Sequence, residues 1–218
     1  MKITWLGHSA LRLEGSRTVF IDPFLTGNPK AALAAPEIER ADAVVVSHDH
    51  GDHLGDAFAI CRRTGAPLVA LFEIAQAAQE QKLQAEGINI GGTARIDGIE
   101  VSLTPAFHSA GRGGTAAGVI VAMDGRTVYH AGDTGLTLEM QLIGEMYRPD
   151  IAFLPIDGYY TMSPRLAAKA VELLGVPRAV PIHYGTFPHI GSSPEEFQRL
   201  AGAFCQVTVL APGGTIEI

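Results

Sequence analysis

The apolar run Ala43-Val44-Val45-Val46 stops abruptly at Ser47-His48-Asp49-His50-Gly51-Asp52-His53-Leu54. Three imidazoles and two carboxylates fall within six residues. A short continuous apolar run of this kind reads as a buried strand. Imidazole and carboxylate groups at its end are costly to desolvate unless something pairs with them. A cation is the partner that suits all of them. Ligand-type side chains of this sort sit on loops at strand ends, where a rigid sheet fixes them while their tips stay accessible.

The 218 residues suit one α/β domain spanning the whole chain, 1–218. With 47% hydrophobic and 18% charged residues, the balance is globular. The formal charge of −7 argues against a general affinity for nucleic acid or an anionic membrane, both of which need a basic surface. A small-molecule substrate fits better. Cys61 and Cys205 are too few for a disulfide scaffold and lack the CxxC spacing of a thiolate metal site, so both are expected to be passive thiols. The start Met1-Lys2-Ile3-Thr4-Trp5 lacks signal-peptide features, and no apolar run is long enough to span a bilayer. A cytoplasmic location is the expectation; nothing in the sequence speaks to the oligomeric state.

Alternation over 2–6 and 10–14, then Thr18 to Ile21, predicts a β-meander ended by Asp22-Pro23. Helices are expected over 54–64 and over 73–86, the latter capped by Gly87. Strands are expected at 43–46, 68–71, 88–90, 94–96 and 99–104. Asp124-Gly125 is a hairpin signal between strands at 118–123 and 126–130. Leu138, Leu142, Ile143 and Met146 then recur at helical spacing before a strand at 151–156. Ser163-Pro164 starts a helix whose apolar face is Leu166, Ala167, Ala170, Val171 and Leu174 and which ends at Gly175. After a strand at 178–182, Ser193 and Glu196 suggest a capping box for a helix burying Phe197, Leu200, Ala201 and Phe204. Strands at 207–210 and 215–218 close the chain. This order predicts two similar halves whose mixed sheets pack together between outer helices.

Four further candidate residues follow strands: Asp22, His108, Asp133 and His183. His130 competes with Asp133; the glycine before Asp133 and the Asp-Thr-Gly turn favour Asp133, because they carry its carboxylate beyond the strand end.

Taken in order, His48-x-His50-x-Asp52-His53, His108, Ala131-Gly132-Asp133-Thr134 and His183 resemble the ligand set of the metallo-β-lactamase superfamily. Trp5-Leu6-Gly7-His8-Ser9, Tyr129 to Gly135 and Pro181-Ile182-His183-Tyr184-Gly185-Thr186 are more similar to its compact branch of metal-dependent hydrolases related to ascorbate-6-phosphate lactonase. The resemblance spans almost the whole chain and implies a four-layer αββα sandwich. It also implies one metal on His48, His50 and His108 and a second on Asp52, His53 and His183, with Asp133 between them. Imidazole and carboxylate ligands suit Zn²⁺ and also Mn²⁺, Fe²⁺ or Ni²⁺.

The resulting expectation is a dinuclear hydrolase that uses a metal-bridging hydroxide on an ester, lactone or phosphoester. Asp22 is expected to orient a metal-ligand histidine. Asp52, His8, Tyr184 and His189 are candidates for proton transfer or for holding an oxyanion. Arg112, Asp157 and Tyr160 are substrate candidates, although related sequences often carry glycine at the position of Asp157. Two alternatives share the fold. An RNA- or DNA-processing nuclease sits poorly with the acidic balance. A non-catalytic metal-binding module sits poorly with a complete ligand set.

Overall fold

The computed structural model describes residues 1–111 and 114–218. Among these residues fourteen strands form two seven-stranded mixed sheets. The first half supplies β1 (Lys2–Gly7), β2 (Ala10–Glu14), β3 (Thr18–Ile21), β4 (Ala43–Val45), β5 (Leu68–Leu71) and β6 (Ala85–Ile88), with helices α1 (Gly51–Leu54), α2 (Ala57–Thr64) and α3 (Phe72–Glu80). The second half supplies β7 (Thr93–Ile96), β8 (Ile99–Pro105), β9 (Ala117–Met123), β10 (Arg126–His130), β11 (Ile151–Pro155), β12 (Arg178–Ile182) and β13 (Gln206–Val207), with α4 (Glu139–Tyr147), α5 (Pro164–Leu174) and α6 (Pro194–Ala201). The last strand, β14 (Thr215–Glu217), returns to pair with β1.

The sheet orders are β14-β1-β2-β3-β4-β5-β6 and β13-β12-β11-β10-β9-β8-β7. Each sheet is antiparallel through its meander and parallel after it, from β3 to β6 and from β10 to β13. The two halves are therefore alike in build. The strand period of two assigns each face: Val119, Val121 and Met123 of β9, with Ile151 and Phe153 of β11, belong to the core shared with the first sheet. Their alternates Ile120, Ala152 and Leu154 pack instead on Met140 and Ile143 of α4, Ala167 and Val171 of α5 and Phe197 of α6. Both faces are covered, which is why these strands read as uninterrupted apolar runs. No helix among the described residues is long and apolar enough to cross a membrane.

Several elements differ from the sequence expectation. The helix expected over 54–64 is broken into α1 and α2 at Gly55, which has φ +42° and lies so close to the segment after β3 that an added Cβ would come 2.6 Å from Phe24 Cα. The helix expected to reach Glu86 ends at Glu80; the chain reverses through Lys82 at φ +62°, and residues 85–88 become strand β6. Gly87 is thus no cap. An added Cβ there would sit 3.2 Å from Phe72 Cα, so its absence lets α3 lie close on β6. No separate strand forms at 88–90, and the strand expected at 207–210 shrinks to Gln206–Val207. In α4 the buried residues are Met140 and Ile143, while Leu138, Leu142 and Met146 are exposed. Leu166 and Phe204 are likewise exposed rather than buried. Ser193 accepts from the Glu196 amide, while its hydroxyl donates to Glu195, not Glu196.

The close fit of α4 on the end of α5 yields a stability prediction. A Cβ at Gly144 would lie 2.0 Å from the Leu174 carbonyl oxygen, a backbone atom that cannot rotate away. Gly144→Ala is expected to cost about 2–3 kcal/mol by overpacking, lowering the melting temperature by roughly 5–10 °C for a chain of this size. An unchanged melting temperature in calorimetry would show that the two helices part freely.

Candidate metal centre

The register places five strand ends at one edge of the sandwich. Ile21 of β3 pairs with Val45 of β4, His130 of β10 with Phe153 of β11, and Pro155 of β11 with Ile182 of β12. The residues just beyond are therefore neighbours: Asp22, Ser47 and His48, Asp133, Asp157 and His183. His8, Asp22 and His183 sit at φ +55°, +46° and +57°. Non-glycine residues held there cost on the order of 1–3 kcal/mol each, and persist only where their surroundings impose it. Here the His183 amide donates to the His8 carbonyl (3.0 Å), which also accepts from the Trp5 indole (2.9 Å), and the Asp22 amide donates to Val45 (3.0 Å). α1 is a single turn with His50 as its N-cap; it sets Asp52 and His53 one residue apart on a helix pressed, at Gly55, against the segment that follows Asp22.

Three sets of ligand-type atoms each gather within 4.8 Å: His48, His50 and His108; His8, Asp52, His53 and His183; and His48, His53 and Asp133. Asp133 joins the first two sets. Its Oδ2 is 3.4 Å from His108 Nε2 and 3.3 Å from His183 Nε2, and its Oδ1 is 3.2 Å from His53 Nε2. Despite these short distances, Asp133 Oδ1, His53 Nε2 and His183 Nε2 are buried without an aligned hydrogen bond. Buried polar atoms left this way are rare and costly, and all three converge on one spot. A divalent cation satisfies such a set, so the donor chemistry fits a metal.

A second layer aims these ligands. Asp22, fully buried, accepts from the Ser47 amide (2.7 Å), the Ser47 hydroxyl (2.6 Å) and His53 Nδ1 (2.7 Å), leaving His53 Nε2 to face the centre. Ser47 Oγ also lies 3.0 Å from His48 Nδ1. Asp157 Oδ2 stands 3.0 Å from His183 Nδ1, close but short of good hydrogen-bond alignment. His8 spans Thr186 Oγ1 on Nδ1 (2.9 Å) and Asp52 Oδ2 on Nε2 (3.2 Å). Because Asp52 is held ionised, His8 carries its proton on Nε2 and donates to it, while Thr186 donates to Nδ1. Both nitrogens are thereby engaged. His8 belongs to the donor cluster in space but works by holding Asp52.

The electrostatics separate the imidazoles. Burial pushes His8 down to about 4 and His48 to about 3, and lowers His108 as well, so all three are neutral, and His48 and His108 are ready to ligate. Burial also acts to lower His53 and His183, but Asp133 and Asp22 raise His53 well above its usual range, and Asp133 raises His183 to about 9. A cation entering there displaces those protons. Burial opposes ionisation of the carboxylates, yet the neighbouring imidazoles hold Asp22 at about 2 and Asp133 well below the ordinary carboxylate range. The hydrogen bond from His8 keeps Asp52 low against the same opposition. His130 is accounted for separately: its Nε2 donates to the Ser9 carbonyl (2.8 Å) and its Nδ1 accepts from the Gly132 amide (3.0 Å), so Asp133 rather than His130 reaches the centre.

The donors floor a cavity of about 390 Å³ lined also by Ser109, Tyr160, Phe187, His189 and Ile190. Two sequence expectations change here. Tyr184 does not line this cavity; it stacks on Trp5 at 5.5 Å, and burial raises its phenol to about 12. Asp157 does not line this cavity either: its side chain is buried behind His183, where it also accepts from the amides of Tyr159 and Tyr160 (both 2.6 Å). His8 is wholly buried and likewise lines a separate cavity. Arg112 lies outside the described residues. The sequence reading passed over Ser47, Thr186, Phe187 and Ile190. Ser47 was visible as the first polar residue of the motif, and the other three follow His183 within one loop. Cys61 and Cys205 are free thiols away from the donors, raised to about 12 and 11 by burial.

Comparison with known proteins agrees with this geometry. Residues 17–184 match the family described as the beta-lactamase superfamily domain. The chain is 50% identical over 230 aligned residues to a UPF0173 metal-dependent hydrolase of Methanopyrus kandleri, covering all of both chains. It is 48% identical to another from Archaeoglobus fulgidus, with 100% of this chain and 99% of that one covered. The structure of Igni18, a metallo hydrolase from Ignicoccus hospitalis, superposes with a TM-score of 0.93 at 42% identity, over 100% of this chain and 98% of the other. The chain is a metal-dependent hydrolase and belongs to the beta-lactamase superfamily, alongside its UPF0173 members.

Proposed function

We propose that the enzyme is dinuclear and cleaves an ester, lactone or phosphoester of a small molecule. The observation that carries this reading is Asp133, whose carboxylate lies within 3.4 Å of imidazoles from both donor sets. His48, His50 and His108 would hold one ion; Asp52, His53 and His183 the other; Asp133 would serve both. Imidazole and carboxylate ligands suit Zn²⁺ and also Mn²⁺, Fe²⁺ or Ni²⁺, and with no thiolate in the set nothing selects zinc among them. Divalent ions held there would lower the pKa of water and stabilise charge on the attacking and leaving oxygens.

The chain's own groups do the rest. Asp52 reaches the cavity with its side chain about one-third exposed, oriented by His8 and through it by Thr186. Its carboxylate can therefore accept a proton within the cavity. His189, exposed and lining the cavity, is placed to protonate a leaving oxygen. Tyr184 and His8 act outside the reacting volume.

Reconstitution of metal-stripped protein with Zn²⁺ tests the reading. Elemental analysis is expected to find two ions per chain, and hydrolysis of at least one class in an ester, lactone and phosphodiester panel should appear only on reloading. Saturation at one ion per chain, or full turnover by the stripped protein, would overturn it.

A further inference from the structure

One wall of the cavity is aromatic. Phe187 stacks on His189 at 6.1 Å and 11°, and Tyr160 meets His189 edge-on at 5.6 Å. Tyr159 closes on both Tyr160 (4.7 Å) and His189 (5.7 Å). The wall is held from behind on both sides. The Gly185 amide donates to the Ile190 carbonyl (2.6 Å) and the Ile190 amide to Phe187 (3.1 Å), closing the loop that bears Phe187 and His189. Asp157 fixes the amides of Tyr159 and Tyr160 and takes the Thr161 hydroxyl at 2.5 Å. Yet Tyr160, which lines the cavity, is 54% exposed and Tyr159 beside it 69% exposed, so aromatic surface on a hydrogen-bonded backbone stands uncovered beside the donor atoms. Uncovered aromatic surface at the mouth of a reactive cavity marks a binding surface.

The wall itself carries no fixed positive charge among the described residues. Asp52 and Asp133 are the cavity's ionised acids, and no Lys or Arg lines it among the described residues. A flat neutral ring gains stacking contact on the wall, where no described side chain offers a positive charge to an anionic group.

We propose that the wall of Tyr160, Phe187 and His189, backed by Tyr159, selects substrates bearing a flat uncharged group, such as an aryl ring, next to a carboxylic ester or lactone bond. The proposal narrows the hydrolase reading above and rests on it for the bond cleaved. The reaction is a plain hydrolysis: a water oxygen bonds to the acyl carbon, the acyl carbon–oxygen bond breaks, and the departing oxygen takes a proton, giving acid and alcohol without redox change.

The test uses the full-length, metal-loaded protein and 2-naphthol as a neutral probe in calorimetry. Phe187→Ala and Tyr160→Ala are each expected to weaken binding about tenfold, the typical value of a buried aromatic contact. Phe187→Leu, which keeps an apolar side chain of similar bulk, is expected to weaken it several-fold, guarding against loss through misfolding. Phe204→Ala, on an exposed ring away from the cavity, should bind as the parent does. In turnover, benzyl acetate is expected to exceed ethyl acetate about tenfold in kcat/KM, mainly through KM, and 4-carboxybenzyl acetate to fall below benzyl acetate. Naphthol binding that ignores all the wall variants, or a preference for the carboxylated ester, overturns the proposal even if esters are cleaved. Wall-dependent naphthol binding without ester or lactone cleavage supports the wall as a binding surface and overturns the carboxylic ester or lactone as the bond cleaved.

Discussion

Asp133→Asn is expected to reduce turnover by at least about a thousandfold, equivalent to about 4 kcal/mol of lost transition-state stabilisation, and to leave the chain with no more than one bound ion. Asparagine keeps the volume and one carbonyl oxygen but removes the negative charge that lies between the two donor sets. Two divalent ions at such a site repel each other, and the shared carboxylate offsets that repulsion. The same change alters the metal-free protein. Asp133 is the leading cause that raises His53 and His183 against their burial, so both imidazoles should give up their protons at lower pH in the variant. Elemental analysis, steady-state kinetics and histidine titration by NMR read the three effects separately. Two tightly bound ions and undiminished turnover in Asp133→Asn would remove Asp133 from the centre.

Asp22→Ala should act chiefly on stability. Asp22 touches no candidate substrate volume, yet three donors end on it: the Ser47 amide, the Ser47 hydroxyl and His53 Nδ1. Removing the carboxylate strands those donors and leaves a buried charged imidazole without its partner, a loss of about 3–5 kcal/mol. Alanine also tolerates φ +46° less well than aspartate or asparagine. With His53 no longer oriented, metal affinity should fall about 10–100-fold. Denaturant unfolding of the metal-free protein isolates the first effect, and competition with a chelator the second. An unchanged unfolding midpoint would mean that Asp22 is a turn residue only.

The pH dependence follows from the same group. The folded carboxyl titrates at about 2 against 3.8 for the unfolded chain, so its contribution is fully present above about pH 4. It is lost as pH falls from there toward 2. The sign is that of a depressed acid, and the size is on the order of 2 kcal/mol. Asp22→Asn should flatten that part of the acid limb of the stability curve.

Most of the sandwich was legible because its local signals agree with its tertiary arrangement. The meander over β1–β3, the Asp124-Gly125 hairpin and the Ser163-Pro164 helix start each carry a period or a turn residue that has one reading. The signals that misled were the ones tertiary contact overrides. Ala85 and Glu86 are good helix formers, but β5 takes them as a parallel partner strand once the chain turns at Lys82. Leu142 and Met146 recur at helical spacing, yet α4 is turned so that Met140 and Ile143 face the second sheet and Gly144 meets α5.

The sequence alone determined which residues can ligate a metal and in what order they occur. Imidazole and carboxylate are rare at strand ends without a partner, and that chemistry is written in residue type and spacing. Only the tertiary structure decided which nitrogen of each histidine faces the centre, that Asp157 backs His183 rather than lining the pocket, and that Tyr184 turns away toward Trp5. Those choices depend on contacts between strand ends distant in the chain, some more than a hundred residues apart, such as His8 with Thr186. No local period encodes them; they exist once the two sheets have packed.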